Sequence, residues 1–281
     1  MSNMIKIENL SFSYNKRQNL FDQINLTLPS GNIYGLLGKN GAGKSTLLKM
    51  ISGLLFPKQG EINVLKFQPK DRYPQFLREV FLITEEFNLP AMELESYVRL
   101  YSPFYPRFNH SLLNDYIYEF RLPREQKLSD MSYGQRKNFL LSFGLATDCR
   151  LLILDEPTNG LDIPSKSQFR KIIANSVHEE RSFIISTHQV RDMENLIDPI
   201  IILDEGKIIF FQNYEQISKK LSIVKQKEAP DTQKAIYFES SLGGYTVVQE
   251  NAGTDETRMN LEILFNAVVG NKFRMNEIFK S

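Results

Sequence analysis

Cysteine is nearly missing: Cys149 is the single one in 281 residues, which excludes an internal disulfide and a cysteine-built metal cluster and suits a reducing cytosol. Its thiol is expected to fill core. An excess of charge is missing too. The 34 lysines and arginines stand against 33 acidic residues, a formal net charge of +1, so no global field marks a binder of nucleic acid or acidic polymer. No apolar run approaches the roughly 20 residues that a bilayer-crossing helix needs. Among the most apolar stretches, Phe139-Leu140-Leu141-Ser142-Phe143-Gly144-Leu145-Ala146 is far shorter. The opening Met1-Ser2-Asn3-Met4-Ile5-Lys6-Ile7-Glu8 has no basic segment leading into an apolar one, so no secretory signal is read. The expected location is the cytosol or the cytosolic face of a membrane. What is present is 42% hydrophobic residues, enough for a packed core. The length allows one large domain, or one with a small appendage.

Periodicity divides the chain. Apolar residues mostly alternate over residues 5–28, the pattern of half-buried strands joined by turns. Short apolar runs at 32–37, 80–84, 151–154, 182–186 and 200–203 read as buried strands, and 60–65 as one more. Strands alternating with helical or loop segments predict a mainly parallel sheet covered on both faces. Residues 207–211 follow Asp204-Glu205-Gly206 as the second arm of a hairpin. Over about 86–146 the apolar positions fall three and four apart, as at Leu112, Leu113, Tyr116, Ile117 and Phe120, which predicts a helical insertion. Beyond Ile217 the composition shifts through Lys219, Lys220, Lys225, Lys227 and Glu228 towards a tail. There 235–238 and 245–248 read as strands and 261–269 as a helix. The division expected is 1–217 for the main domain and 218–281 for a small appendage without an assigned role.

Gly38-Lys39-Asn40-Gly41-Ala42-Gly43-Lys44-Ser45-Thr46 fits the phosphate-loop pattern G-x-x-x-x-G-K-[ST] between an apparent strand and an apparent helix. Small residues let backbone N–H groups close around phosphate oxygens, and the helix adds the positive end of its dipole. Lys44 supplies a mobile cation for the β- and γ-phosphates, and the Ser45 hydroxyl reaches Mg²⁺. A turn without a ligand is the bland alternative, and the flanking strand and helix count against it. Downstream, Leu151-Leu152-Ile153-Leu154-Asp155-Glu156 is an apolar strand ending in two carboxylates. Asp155 is suited to hold Mg²⁺ through water, and Glu156 to polarise a water attacking the γ-phosphorus in line. Alone, such a pair reads as a solvated turn; the phosphate loop reverses that reading.

These motifs and others, in order, resemble the nucleotide-binding subunits of ATP-binding cassette (ABC) transporters over about residues 4–215. Asp155-Glu156-Pro157-Thr158-Asn159-Gly160-Leu161-Asp162 matches the family's Walker B motif and D-loop, and Ser186-Thr187-His188 its switch histidine. Leu128-Ser129-Asp130-Met131-Ser132-Tyr133-Gly134-Gln135-Arg136 stands where the signature motif belongs, and Tyr14 where an aromatic stacks on adenine. The resemblance implies an α/β P-loop NTPase core with an N-terminal antiparallel β subdomain and a helical insertion. It also implies ATP with Mg²⁺ held between two subunits, identical or different, that meet head to tail. Ser132, Gly134 and Gln135 of one chain would then close on the nucleotide of the other, where hydroxyl and helix dipole cap the γ-phosphate. His188 would hold Glu156 and the attacking water in line. Tyr14 would stack on adenine, with Phe12 as core-facing neighbour or as its substitute. His110 and His178 are read as structural. Separately encoded transmembrane permease subunits are the implied partners, with the chain peripheral on the cytosolic face of the cell membrane and no nucleic acid bound. The Phe104-Tyr105-Pro106-Arg107-Phe108 run is similar to that of bacterial single-domain exporter subunits. The alternatives are a soluble cassette ATPase and a nucleotide-dependent regulator of low turnover. The tandem cassettes, long coiled coils or basic arm usual in the soluble ATPases are not seen.

The chain departs from the family in places. Tyr133 replaces the first of the signature's paired glycines, and its bulk is expected to face the other subunit's nucleotide, slowing turnover or altering the pairing. In Phe81-Leu82-Ile83-Thr84-Glu85-Glu86, Glu85 stands where the Q-loop glutamine belongs. It reads as a metal contact, against a surface charge or Glu86 in that role. Phe87-Asn88-Leu89-Pro90-Ala91-Met92-Glu93 follows, where the family receives a membrane subunit's coupling helix, and exposed apolar residues there suit docking. Tyr97, Tyr101, Phe104, Tyr105 and Phe108 are read as core of the helical insertion.

Overall fold

A computed structural model describes residues 3–15, 19–251, 253 and 260–280, so Met1 and Ser2 of the N-terminal reading and residues 252, 254–259 and 281 of the appendage lie outside it. Among the described residues the strands are β1 (Asn3–Phe12), β2 (Phe21–Pro29), β3 (Ile33–Leu37), β4 (Gln59–Val64), β5 (Val80–Ile83), β6 (Leu151–Asp155), β7 (Ser182–Thr187), β8 (Ile200–Asp204), β9 (Lys207–Gln212), β10 (Leu221–Gln226), β11 (Tyr237–Ser241) and β12 (Gly244–Glu250). The helices are α1 (Lys44–Ile51), α2 (Pro74–Leu77), α3 (Leu94–Tyr101), α4 (His110–Glu119), α5 (Tyr133–Ala146), α6 (Ile163–Ser176), α7 (Tyr214–Lys220), α8 (Leu261–Gly270) and α9 (Lys272–Lys280). None is long and apolar enough to cross a membrane.

The central sheet runs β5-β6-β7-β3-β8-β9, parallel except for the β8–β9 hairpin. Strands β3, β6, β7 and β8 are buried along their whole length, as central parallel strands must be when both faces are covered. Successive side chains on a strand point to opposite faces, and here they divide between two cores. Ile153, Ile184, Ile201 and Leu203 pack with α1 and the antiparallel β2-β1-β4 sheet. Leu152, Leu154, Phe183, Ile185, Ile200 and Ile202 face α5, α6 and α8. The expected mainly parallel α/β core with an N-terminal antiparallel β sheet is thus the fold observed.

Between β5 and β6 the region read as helical carries α3, α4 and α5 around a third core that includes Leu94, Val98, Leu113, Ile117, Phe139 and Phe143. Phe143 is its hub, with ring centroids 5.0 Å from Phe108, 5.3 Å from Tyr97 and 5.9 Å from Phe81. Tyr97, Tyr101, Tyr105 and Phe108 pack there as read, whereas Phe104 is 62% exposed. The caps follow the residue chemistry: the Asn109 side chain accepts from the Leu112 N–H at the start of α4.

The lysine-rich stretch read as leading to a tail holds the end of α7, with Lys219 and Lys220, and then β10, which carries Lys225 and pairs with β12 in an antiparallel β10-β12-β11 sheet. This sheet and α8 do not stand apart. Leu221, Val248, Leu264, Val268 and Met275 belong to the same core as Ile200 and Phe210 of the central sheet.

Two measurements check this packing. Phe143→Ala is expected to cost about 3–5 kcal/mol, the usual range for a buried phenylalanine, read as a lower midpoint in urea. Cys149 is buried, its thiol donating to the Arg78 carbonyl at 3.3 Å, and burial pushes its pKa up to about 12. The folded protein should therefore resist alkylation at pH 8 and react once denatured.

Candidate nucleotide site

Strand order and register build the site. β6, β7 and β3 are neighbours, with Asp155 opposite Ser186 and Leu37 opposite Thr187, so the loops after all three leave the same edge of the sheet. That edge is the carboxyl end of the strands, where open α/β sheets bind ligands. The phosphate loop leaves β3 there. Gly38 and Ala42 are buried, while Lys39, Asn40 and Gly41 are exposed at the rim. Gly43 holds φ at +106°, and a Cβ there would stand 2.6 Å from the Phe21 ring, so this position admits only glycine. The turn delivers Lys44 as the first residue of α1, with Ser45 half-buried and Thr46 buried behind it.

The Lys44 ammonium donates to the Gly38 carbonyl at 2.8 Å and lies 3.7 Å from Glu156 Oε1. His188 meets the same carboxylate twice. Its Nδ1 is 2.8 Å from Glu156 Oε1, and its backbone N–H donates to Oε2 at 3.3 Å. Glu156 has φ +47°, in the left-handed region, and its N–H donates to the Ser186 carbonyl at 3.1 Å. That turn separates it from Asp155, whose Oδ1 accepts a hydrogen bond from the Ser186 hydroxyl. Both carboxylates are buried. At the other side of the loop, Tyr14 is 66% exposed and shares a 2.9 Å hydrogen bond with the Thr46 hydroxyl. Buried Phe12 stands edge-on to it at 4.9 Å, facing the core.

Ser132, Gly134 and Gln135 are at the start of α5, apart from the network around Lys44. Ser132 caps the helix, its Oγ accepting from the Gln135 N–H at 3.2 Å while the Gln135 side chain accepts from the Ser132 N–H at 2.9 Å. The Ser132 O–H still has its proton to donate. Tyr133 is also engaged within its own chain. Its ring stacks on Phe87 with centroids 5.3 Å apart, its hydroxyl donates to the Glu85 carbonyl at 2.6 Å, and it covers Gly160, where any Cβ would be 2.7 Å from the ring. Glu85 is exposed, and its Oε1 accepts from Asn159 Nδ2 at 2.9 Å; Asn159 Oδ1 in turn accepts from Gln189 Nε2 at 2.9 Å. The Glu86 carbonyl accepts from the Thr84 hydroxyl. His110 and His178 are exposed and outside this network.

Other residues of the site carried no sequence signal that assigned them a role. Lys137 is fully buried on α5, where a lysine in a helix normally reads as a solvated position. Glu262, Phe265 and Asn266 of α8 line a cavity of about 310 Å³ together with Gly38, Lys39, Asn40, Thr187 and His188. The Arg191–Glu262 ion pair and a 3.1 Å bond from the Leu261 N–H to Glu194 fasten α8 to the loop after His188.

The parallel sheet, the phosphate loop at its carboxyl edge and the paired acids after β6 define a P-loop nucleotide-hydrolase cassette. Comparisons narrow the class. The model of the ABC transporter family matches residues 21–159. The lantibiotic transport ATP-binding protein SrtF of Streptococcus pyogenes is 33% identical over 221 residues, covering 75% of this chain and 92% of that protein. The bacitracin transport ATP-binding protein BcrA of Bacillus licheniformis is 29% identical over 244 residues, covering 84% of this chain and 78% of that protein. The solved ATP-binding subunit of an ABC transporter is similar with a TM-score of 0.68 and 24% identity, over 75% of this chain and 90% of that one. The dimeric ATP-binding cassette MJ0796 bound to ADP and Pi is similar with a TM-score of 0.66 and 20% identity, over 75% and 98%. The chain belongs to the ABC transporter family, as an ATP-binding, ATP-hydrolysing subunit.

Gly43→Ala should strain the loop by about 1–3 kcal/mol and displace α1 from Phe21. The expected outcome is loss of ATP binding by calorimetry with an unchanged far-UV spectrum.

Proposed function

We propose that this chain is the energy-coupling subunit of an exporter. Two cassettes, identical or not, close head to tail around ATP, closure moves separately encoded transmembrane permease subunits, and hydrolysis resets them. The observation that carries the reading is the Glu156 carboxylate, buried and held between Lys44 and His188 one residue after Asp155. In that position Glu156 takes a proton from the attacking water while His188 keeps carboxylate and water in line. Lys44 meets the β- and γ-phosphates, backbone N–H groups from Gly38 to Thr46 cradle them, and Tyr14 offers its ring to adenine. Ser132, Gly134 and Gln135 serve the partner's nucleotide.

Mg²⁺ fits the donors present, because a hydroxyl and a carboxylate are the hard oxygen ligands it takes. Ser45 and Asp155 would hold it, Asp155 through water, with Glu85 as an outer contact. The metal supplies charge neutralisation across the phosphates. Asp155 meets the requirement of an unspent charge: its contact is the Ser186 hydroxyl, a neutral group.

The unit formed by 1–217 is read as the ATPase and 218–281 as its appendage. Half-buried Phe87, Leu89 and Met92, with exposed Leu100 and Phe104 nearby in the insertion, suit a permease helix arriving from the membrane side. The chain is then peripheral on the cytosolic face. Similarity to proteins named for lantibiotic and bacitracin transport supports a transport role over a soluble one.

Glu156→Gln is expected to bind ATP, dimerise on it and lose about 10²–10⁴-fold in turnover, measured by phosphate release and gel filtration. Unchanged turnover would remove Glu156 as the base. Tyr14→Ala should weaken ATP binding by about 1–3 kcal/mol with little change in turnover at saturation, checked by nucleotide titration.

A further inference from the structure

Lys137 is a buried side chain at the catalytic turn that the chemistry above does not use. It sits on α5 one turn beyond Tyr133, with no exposed surface. Its ammonium donates to the Glu156 carbonyl at 2.6 Å and to the Asn159 carbonyl at 3.0 Å, and lies 5.6 Å from the centroid of the Tyr133 ring. Burial lowers its pKa to about 8, opposed by the carboxylates of Glu85, Glu156 and Asp155. Filling space alone would call for methionine or leucine, because a buried ammonium without partners is costly. This one has partners, and they are backbone atoms of a single turn.

That turn is a constrained one. Glu156 occupies the left-handed region that residues other than glycine seldom adopt. Three groups pin it: Ser186 accepts from its N–H, and its carbonyl accepts from the Asn159 N–H at 3.2 Å and, more closely, from Lys137. Between them they set the direction of the carboxylate towards Lys44 and His188. The same ammonium holds Asn159, whose side chain bridges Glu85 and Gln189. Lys137 therefore fastens the backbone of the hydrolytic glutamate to the helix that begins with Ser132 and Gly134. Those residues serve the nucleotide of the other subunit, so each α5 touches both sites of a dimer.

We propose that Lys137 is a positioning residue that carries the engagement of Ser132 and Gly134 with the partner's ATP to the Glu156 turn, making the two sites hydrolyse cooperatively. The proposal rests on the ATP-sandwich reading above. Its test compares Lys137→Met, Lys137→Arg and Lys137→Gln in the full chain for turnover, Hill coefficient, ATP affinity and melting temperature. Methionine keeps the length of the stem and removes the donors. For Lys137→Met, turnover is expected to fall roughly ten-fold and the Hill coefficient to drop from above 1 to about 1, with ATP affinity within about two-fold of the parent. Lys137→Arg, which keeps donors, is expected to recover most of both. Overturning results are a Lys137→Met chain with the parent's turnover and Hill coefficient, a parent whose Hill coefficient is already about 1, or losses that follow melting temperature and are not recovered by arginine. Should Lys137→Met not fold, the other two decide. Glutamine, too short to reach both carbonyls, must lose cooperativity while arginine keeps it; a glutamine chain like the parent overturns the proposal. Glu156→Gln run alongside separates the readings: unchanged turnover there sinks the site assignment, whereas an inactive Glu156→Gln with a normal Lys137→Met sinks only the role of Lys137.

Discussion

The Glu156 carboxylate, buried between an ammonium and an imidazole, is the interaction on which the rest of the architecture depends. A carboxylate removed from water needs partners with donors, and Lys44 comes from the start of α1 while His188 follows β7. Bringing them together requires β3, β6 and β7 to lie side by side and end level, which the parallel registers ensure. Those registers are held in turn by two-sided burial, because a slip of one residue would exchange the side chains facing α1 for those facing α6. Two apolar cores thus fix the meeting point of three polar groups.

The sequence was most legible where chemistry and periodicity coincide. Buried parallel strands are continuous apolar runs, so β3, β5, β6, β7 and β8 could be read directly, and phosphate binding demands residue types that few other turns use. What could not be read depends on distant pairs. The direction of Tyr133 is decided by Phe87 and by the bare backbone of Gly160, neither of them near in sequence. Glu85 finds Asn159 across 74 residues. β10 was hidden because its apolar residues lie among lysines that mark a solvated segment in local composition, while the pairing that makes it a strand comes from β12. Lys137 was hidden for the opposite reason: its burial is set by carbonyls of a turn that local sequence cannot position.

Replacing a signature glycine with tyrosine changes what that segment contributes within its own chain. The ring joins Phe87, Gly160 and Lys137, so the start of α5, the segment after β5 and the turn after β6 share one contact. The aromatic packs these segments into one unit within the chain. Beside it Ser132 is exposed and Gly134 half-buried.

The shared core of the central sheet and α8 has a consequence for synthesis. Leu264 and Val268 cover the same apolar interior as Ile200 and Phe210, and α8 also walls the cavity beside His188. As the chain leaves the ribosome, the phosphate loop and both acidic residues emerge long before this helix. The nucleotide site therefore stays unwalled, and part of the sheet stays wet, until more than two hundred and fifty residues have been made. The wall that α8 lays beside His188 is thus the last part of that cavity to be made.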